Sequence, residues 1–361
     1  MADNMEIRVN PLPSRTWNWL KMNDSPLAAR PLTAGGKLAV SGLTPGLEWT
    51  DGVTPDDRWA DVETGMGREL DRLLDKAPAA LLTAEPGAHP AEPVVIRWTC
   101  PDGGQAADRV LIEAGADSEL SVILVLGGGR DGLGAVQTKV RAAAGAKVRV
   151  YVVQMMDGTA VSLCDYGAVC GENARAELVR LELGGAQGYT GVYTRLDGDN
   201  SEFAADAGYH VRGGQRLDMN YTVRHVGKKT RSEMRASGVL EEDASKIFRG
   251  TIDFPRGCRG AKGSETEEVL LLGNKQVNQT IPLILCQEED VEGDHGATIG
   301  RLDEQVLFYM ASRGISRAAA ERIIAQARLD AVSALIPSDA VRAEIADFLK
   351  PEGEGDSHEE L

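Results

Sequence analysis

IEAGADSELSVILVL, residues 112–126, passes from a small-residue turn through a charged step into an alternating apolar strand. The same order returns in AAAGAKVRVYVVQM (142–155) and AVCGENARAELVRLEL (168–183). The turn glycines Gly115, Gly145 and Gly171 are 30 and 26 residues apart. A period of that size fits a chain wound into coils, each burying its inner face only against its neighbours. TRSEMRAS (230–237) points the same way, because Thr230, Ser232, Met234 and Ala236 alternate with Arg231, Glu233 and Arg235. Small residues share one face and charges the other, which suits the narrow interior of a coil. A sandwich would call for larger aliphatics there, and an edge strand would show the same alternation.

The period of two extends on both sides of these phrases. From Val94 to Cys286 the chain offers PVVIRW, RVLIEAG, ELSVILVLGGG, KVRVYVVQM, ELVRLELGG, DMNYTVRHV, VLLLG and TIPLILC, broken by glycine or small polar turns. No helical segment of ordinary length intervenes, so the chain is not a βαβ protein. Sandwich, barrel and β-solenoid remain, and the repeat favours the solenoid. We expect a mainly β fold with a β-helix core over 94–300, an N-terminal helical and irregular region with its linker over 1–93, a C-terminal helical region over 301–350, and a disordered acidic tail over 351–361.

The N-terminal region is Pro-rich and holds Trp17, Trp19, Trp49 and Trp59. Its one helical signal is GMGRELDRLLDKAP, where Met66, Leu70, Leu73 and Leu74 share a face until Pro78. AEPGAHPAEP (84–93) reads as a linker. Beyond residue 300 the period turns helical. Asp303 caps EQVLFYMASR, which Gly314 stops; Ser316 caps a helix with Ile323, Ile324, Ala327, Ala331 and Leu335 on one face; Pro337 and Ser338 start a third, striped by Val341, Ile345, Phe348 and Leu349. These helices can close the end of a solenoid or dock a partner.

Composition narrows the function. A formal charge of −16 and a pI near 4.9 repel a phosphate backbone, and no basic, aromatic-interleaved stripe offsets them, so nucleic acid is excluded as the main partner. Charged residues at 26% and hydrophobic ones at 42% are ordinary for a soluble globular protein. No apolar run of about 18 residues exists, and the start MADNMEIRVNPLPSRTW lacks the layout of a signal peptide, so a cytoplasmic location is expected. Cys100, Cys164, Cys170, Cys258 and Cys286 are odd in number and without CxxC spacing. They fit reduced thiols rather than a disulfide framework or closed zinc site.

CQEEDVEGDHGAT (286–298) is the densest candidate for chemistry, with a cysteine, five carboxylates and a histidine within ten positions. Soft sites for iron or zinc use thiolate or imidazole, whereas carboxylates alone suit calcium or magnesium. The spacing of Cys286 and His295 leaves their mutual geometry open, and EEDVEGD reads equally as a solvated acidic turn. His295, followed by Gly296 and Ala297, is either solvated or a ligand offered to a second chain. His225 shares the alternation of Met219, Tyr221 and Val223, which favours an inward structural role. GGGRDGLG (127–134) has neither the P-loop lysine nor a following helix, and no GxSxG or HExxH occurs.

FRGTIDF, LLLG, TIPLI, EEDVEGDHGATIGRLDEQVLFYMASRGIS and AERII, in this order and spacing, resemble the SufB/SufD family of iron–sulfur cluster assembly proteins from about Lys246 to Ile324, with HVGKKTRS upstream and, loosely, TWNWLK near the start. The resemblance implies a right-handed parallel β-helix and a non-catalytic scaffold of the Suf system. It further implies pairing with SufB through the β-helix and docking of the SufC ATPase on the C-terminal helices, with Leu307, Met310, Ile323 and Ile324 as docking residues. Where SufB-type chains carry a cysteine, GNKQVNQTIP has Gln276; where they carry a glutamate after the histidine, HGAT has Gly296. The chain is therefore most similar to SufD. The resemblance puts His295 at the shared cluster-assembly interface, with Cys286 a weaker metal candidate. The cluster would be transient and shared with SufB, nucleotide would be bound by SufC rather than this chain, and flavin binding is left open. A SufB-like homodimeric scaffold is the alternative within the family. A β-helix enzyme acting on polysaccharide is the alternative outside it, for which no pair of carboxylates can be assigned.

Overall fold

The computed structural model describes residues 5–29 and 32–350. The acidic tail expected over 351–361 lies outside the described residues. The N-terminal region contributes β1 (Met5–Val9), β2 (Ser25–Ala29), β3 (Lys37–Ser41), β4 (Leu47–Asp51), α1 (Asp57–Ala60) and α2 (Arg68–Leu73). Sixteen strands follow: β5 (Ala79–Ala84), β6 (Val94–Cys100), β7 (Gln105–Ala114), β8 (Glu119–Gly128), β9 (Leu133–Ala142), β10 (Lys147–Met156), β11 (Val161–Cys170), β12 (Arg175–Glu182), β13 (Gln187–Leu196), β14 (Glu202–Val211), β15 (Arg216–His225), β16 (Arg231–Glu241), β17 (Ser245–Phe254), β18 (Ala261–Leu272), β19 (Val277–Cys286) and β20 (Val291–Gly300). The chain ends in α3 (Glu304–Ser312), α4 (Arg317–Ser333) and α5 (Asp339–Phe348).

Even- and odd-numbered strands from β5 onward stack into two separate parallel sheets, so two successive strands make one coil. This is the β-helix expected from the repeat. The register gives its period directly: Lys147 pairs with Glu119 and Arg175, 28 residues away on each side, Arg231 with Glu202 at 29, and Val291 with Ala261 at 30. The coil interior is a continuous apolar column that includes Ile112, Val122, Val150, Phe203, Tyr221, Phe248 and Phe254. In β16 the inward set is Ser232, Met234 and Ala236, with Arg231, Glu233 and Arg235 exposed, as the alternation requires.

Both outer faces are covered in part. Ile7, Val9, Leu27, Met66 and Leu70 of the N-terminal region pack on Ala107, Ala135, Leu163 and Tyr189 of the odd-strand sheet. Here the loop before α2 crosses so close that a Cβ on Gly65 would lie 1.9 Å from the Val192 amide. On the even-strand sheet, Leu329, Val332, Ile336, Val341 and Ile345 pack on Ile123, Val125, Tyr151, Val153 and Leu181. The C-terminal helices thus lie along the flank and do not seal the end of the coil.

Three features differ from the sequence reading. Parallel pairing begins at β5, which joins β7 in register, so AEPGAHPAEP is a corner of the first coil and the β-helix starts at Ala79 rather than Val94. The region before it also holds two antiparallel pairings, β3 on β6 and β4 on β5. In α4 the buried side carries Ala320, Ala325, Leu329 and Val332, while Ile323, Ala327, Ala331 and Leu335 of the expected stripe are exposed. An apolar stripe at helical spacing marks a face without saying what covers it. The caps are as expected: Asp303, Ser316 and Ser338 each accept a hydrogen bond from a first-turn amide, and Gly314 ends α3 with φ 83°.

Candidate functional site

The two ends of the β-helix are unlike. At one end β3 and β4 cover the first coil; at the other, β19 and β20 carry nothing on their outer edges among the described residues. The open end is built from TIPLILC and from the stretch read above as an acidic turn. The turn is confined to residues 287–290, and Val291–Gly300 forms a full strand paired with β18. Its alternation escaped the sequence because Gly293, Gly296 and Ala297 remove the apolar signal from a strand with no coil above it.

Register fixes which side chains face inward. Gly263 and Glu265 face into the coil beside Ile252 and Gly250, and pair in the ladder with Gly293 and His295 respectively. His295 therefore stands on the inner side of the last coil. It is exposed, because the coil has no successor, and among the described residues no hydrogen bond or ion pair engages it. Cys286 is exposed as well, with Sγ donating to the Glu288 carbonyl at 3.1 Å. It closes β19 beside the start of β20, whereas His295 lies four residues into β20, about 13 Å further along. The structure does not bring Cys286 and His295 together.

Gln276 sits in the turn before β19, where its Nε2 donates to the Glu242 carbonyl at 2.9 Å and the Leu272 carbonyl at 2.8 Å. It acts as a brace. His225 faces the interior, with Nδ1 2.8 Å from Thr230 Oγ1 and Nε2 2.9 Å from Ser232 Oγ, and burial pulls its pKa down to about 4. That is the inward structural role its phase suggested. Cys100, Cys164, Cys170 and Cys258 are buried free thiols.

Sequence reasoning missed a charged group directly below the last coil. Glu267 accepts hydrogen bonds from Lys246 Nζ, from Tyr209 Oη at 3.1 Å and from Thr280 Oγ1 at 2.5 Å. Lys246 and Glu267 are both fully buried. Burial lowers the Lys246 pKa despite the carboxylate beside it. Glu265, one inward position away, is pushed up to about 7 by burial and then by the Glu267 charge, with Lys246 opposing. The signal was present in AKGSETEEV: Glu265 and Glu267 share the phase of Ala261, Gly263 and Val269, so two acids were bound to point inward.

On the flank, the helices and the turn after α4 present Phe308, 77% exposed, with Tyr309, Ile323 and Leu335. Leu307 is buried within the chain, and Ile324 packs partly on Val239 and Leu270. Of the four expected docking residues, Ile323 is an outward one.

Residues 98–328 match the family model described as SUF system FeS cluster assembly, SufBD core domain. The chain belongs to the SufBD family. Over 157 residues it is 29% identical to the iron–sulfur cluster assembly protein SufD of Bacillus subtilis, covering 44% of this chain and 36% of that protein. SufB of the same organism is 24% identical over 211 residues, 58% of this chain and 45% of that protein. SufD of Escherichia coli is 28% identical over 153 residues, 42% and 36%. Within the SufBD family the likeness is thus greater to SufD, as the Gln276 and Gly296 positions suggested, although the matched stretches span less than half of these relatives. No described helix is long and apolar enough to cross a membrane.

Proposed function

We propose that this SufBD-family chain is the SufD-like subunit of a cytoplasmic SufB–SufC–SufD complex, a scaffold on which iron and sulfide become a nascent cluster. The observation that carries the reading is His295, an imidazole standing unengaged on the inner side of a terminal strand whose outer edge has no neighbour among the described residues. Such a strand offers a row of free backbone groups for another chain to pair with, and an imidazole at its centre meets a thiolate brought by that chain in a ligand set suited to iron. The cluster is the cargo and is held transiently between the two subunits. Cys286, remote from His295, is not needed for it.

The exposed apolar side of α3 and α4 is assigned to the SufC ATPase, which supplies the nucleotide chemistry; this chain acts as a non-catalytic partner. Closure of two SufC subunits would pull on the helical flanks and shift the population toward an opened SufB–SufD interface. The test is co-expression of the chain with its cognate SufB and SufC, followed by anaerobic cluster formation in wild type and His295→Ala. A retained complex that loses the cluster's visible absorbance is the expected result. Equal cluster formation would remove His295 from the site, and failure to bind SufB would favour the homodimeric alternative.

A further inference from the structure

Below the last coil one buried acid has no partner. Glu265 is 3% exposed, and among the described residues its carboxyl accepts no hydrogen bond. Lys246, the cation nearest to it, is already held by Glu267, which Tyr209 and Thr280 also engage. Room for the group comes from the opposite sheet: a Cβ on Gly250 would lie 2.3 to 2.6 Å from the Glu265 carboxyl atoms. Pro282 covers Gly250 in the next coil, and His295 covers Glu265.

The ladder sets Glu265 and His295 on adjacent strands, on the same inward side, at a strand separation of about 4.8 Å. That spacing is between main chains; with the Glu265 carboxyl turned from Gly250 toward the last coil, two side chains so placed can share one ion through bonds of roughly 2 Å each. Carboxylate with imidazole is a donor pair for a divalent first-row transition ion. We infer that Glu265 and His295 form a metal subsite for ferrous iron, with imidazole from the last coil, carboxylate from the coil beneath, and the remaining positions open toward the partner's side. Binding changes no oxidation state, so no oxidant or reductant is required. The inference rests on His295 as a metal-binding residue and adds the ligand that lets this chain hold iron before the partner's thiolate arrives.

Cobalt(II), an air-stable spectroscopic stand-in, tests the subsite in the full chain alone. Visible ligand-field absorption and competition with a chelator would be followed for wild type, Glu265→Gln and His295→Ala, with unfolding midpoints as the fold control. Each substitution is expected to weaken cobalt binding by roughly tenfold or more. Glu265→Asp, which keeps the charge but withdraws it by one methylene, serves if the glutamine variant unfolds early, and it too should weaken binding. Unchanged affinity in the Glu265 variants with loss in His295→Ala would overturn the Glu265 assignment alone. Unchanged affinity in His295→Ala would overturn the His295 reading and the subsite with it. Absence of cobalt binding by wild type would overturn the subsite while leaving His295 to the cluster-formation experiment.

Discussion

At the scale of single residues, the interior of this β-helix is less uniform than its outline. Asp165 on β11 is 2% exposed, and accepts hydrogen bonds from the Met66 amide at 2.9 Å and Gln137 Nε2 at 3.0 Å. It fastens the N-terminal region to the coil. Burial, and then the Asp71 charge, raise its pKa to about 6. The folded protein therefore binds a proton that the unfolded chain releases above about pH 4. The stabilisation from this group is complete below pH 4 and is lost as pH rises through 6, by on the order of 2–3 kcal/mol. Urea unfolding at a series of pH values should show Asp165→Asn gaining on wild type by that amount between pH 4 and 7; parallel curves would contradict it. His225, depressed to about 4, works in the opposite sense, losing stabilisation as pH falls through 4, so the single-site comparison is needed. His295 was legible in the sequence because small neighbours isolate it. Asp165, Glu265 and Lys246 were not, since only the phase of each strand says whether a charge points in, and charges on such strands ordinarily point out.

At the scale of elements, α4 and the turn that follows it have two apolar sides, one packed on the coil and one exposed. Leu329, 2% exposed, packs on the even-strand sheet with Val332 and Ile336, whereas Ile323 and Leu335 stand clear of it. Leu329→Ala should cost about 2–4 kcal/mol of unfolding free energy by leaving a cavity. Ile323→Asp combined with Leu335→Asp should leave the unfolding midpoint within a few degrees of wild type and abolish co-purification with SufC. Retained SufC binding in the double variant would move the docking surface elsewhere. The existence of α3, α4 and α5 and all three caps could be read from the sequence, because capping is a local event decided by a hydroxyl or carboxylate beside free amides. The side each helix buries could not, because a short helix records only that an apolar face exists. Strands β9, β11, β13 and β14 were missed for a related reason. Their runs QTK, CDYG, YTG and AADAG put polar or small residues on both faces, which blurs the period of two in a strand covered on both sides.

At the scale of the whole molecule, three layers hold one another: the N-terminal region, the coil and the helical flank. Deleting residues 301–350 uncovers Ile123, Val125, Tyr151, Val153 and Leu181 as one apolar sheet face, a patch that promotes self-association. Light scattering after size exclusion should find the truncated chain as soluble aggregate, with the β-helix circular dichroism retained. A monodisperse truncated monomer would show that the flank is dispensable. Point substitutions on the outer side of α4 are accordingly the cleaner probe of partner binding. The solenoid itself was legible because its repeat is written in turn glycines, whereas the start of the first coil was concealed behind a proline-rich corner that has the composition of a linker.

The unlike ends of the coil have one further consequence. Stacked parallel coils could in principle extend without limit, each new molecule continuing the last as a fibre does. Here β3 and β4 are five residues each and run against the direction of the coils, while β19 and β20 offer ten-residue edges. An arriving open end finds neither matching length nor matching polarity at the far end of a neighbour. Growth from head to tail is thereby disfavoured, and among the described residues the coil keeps a long free edge at one end only, the end that carries His295.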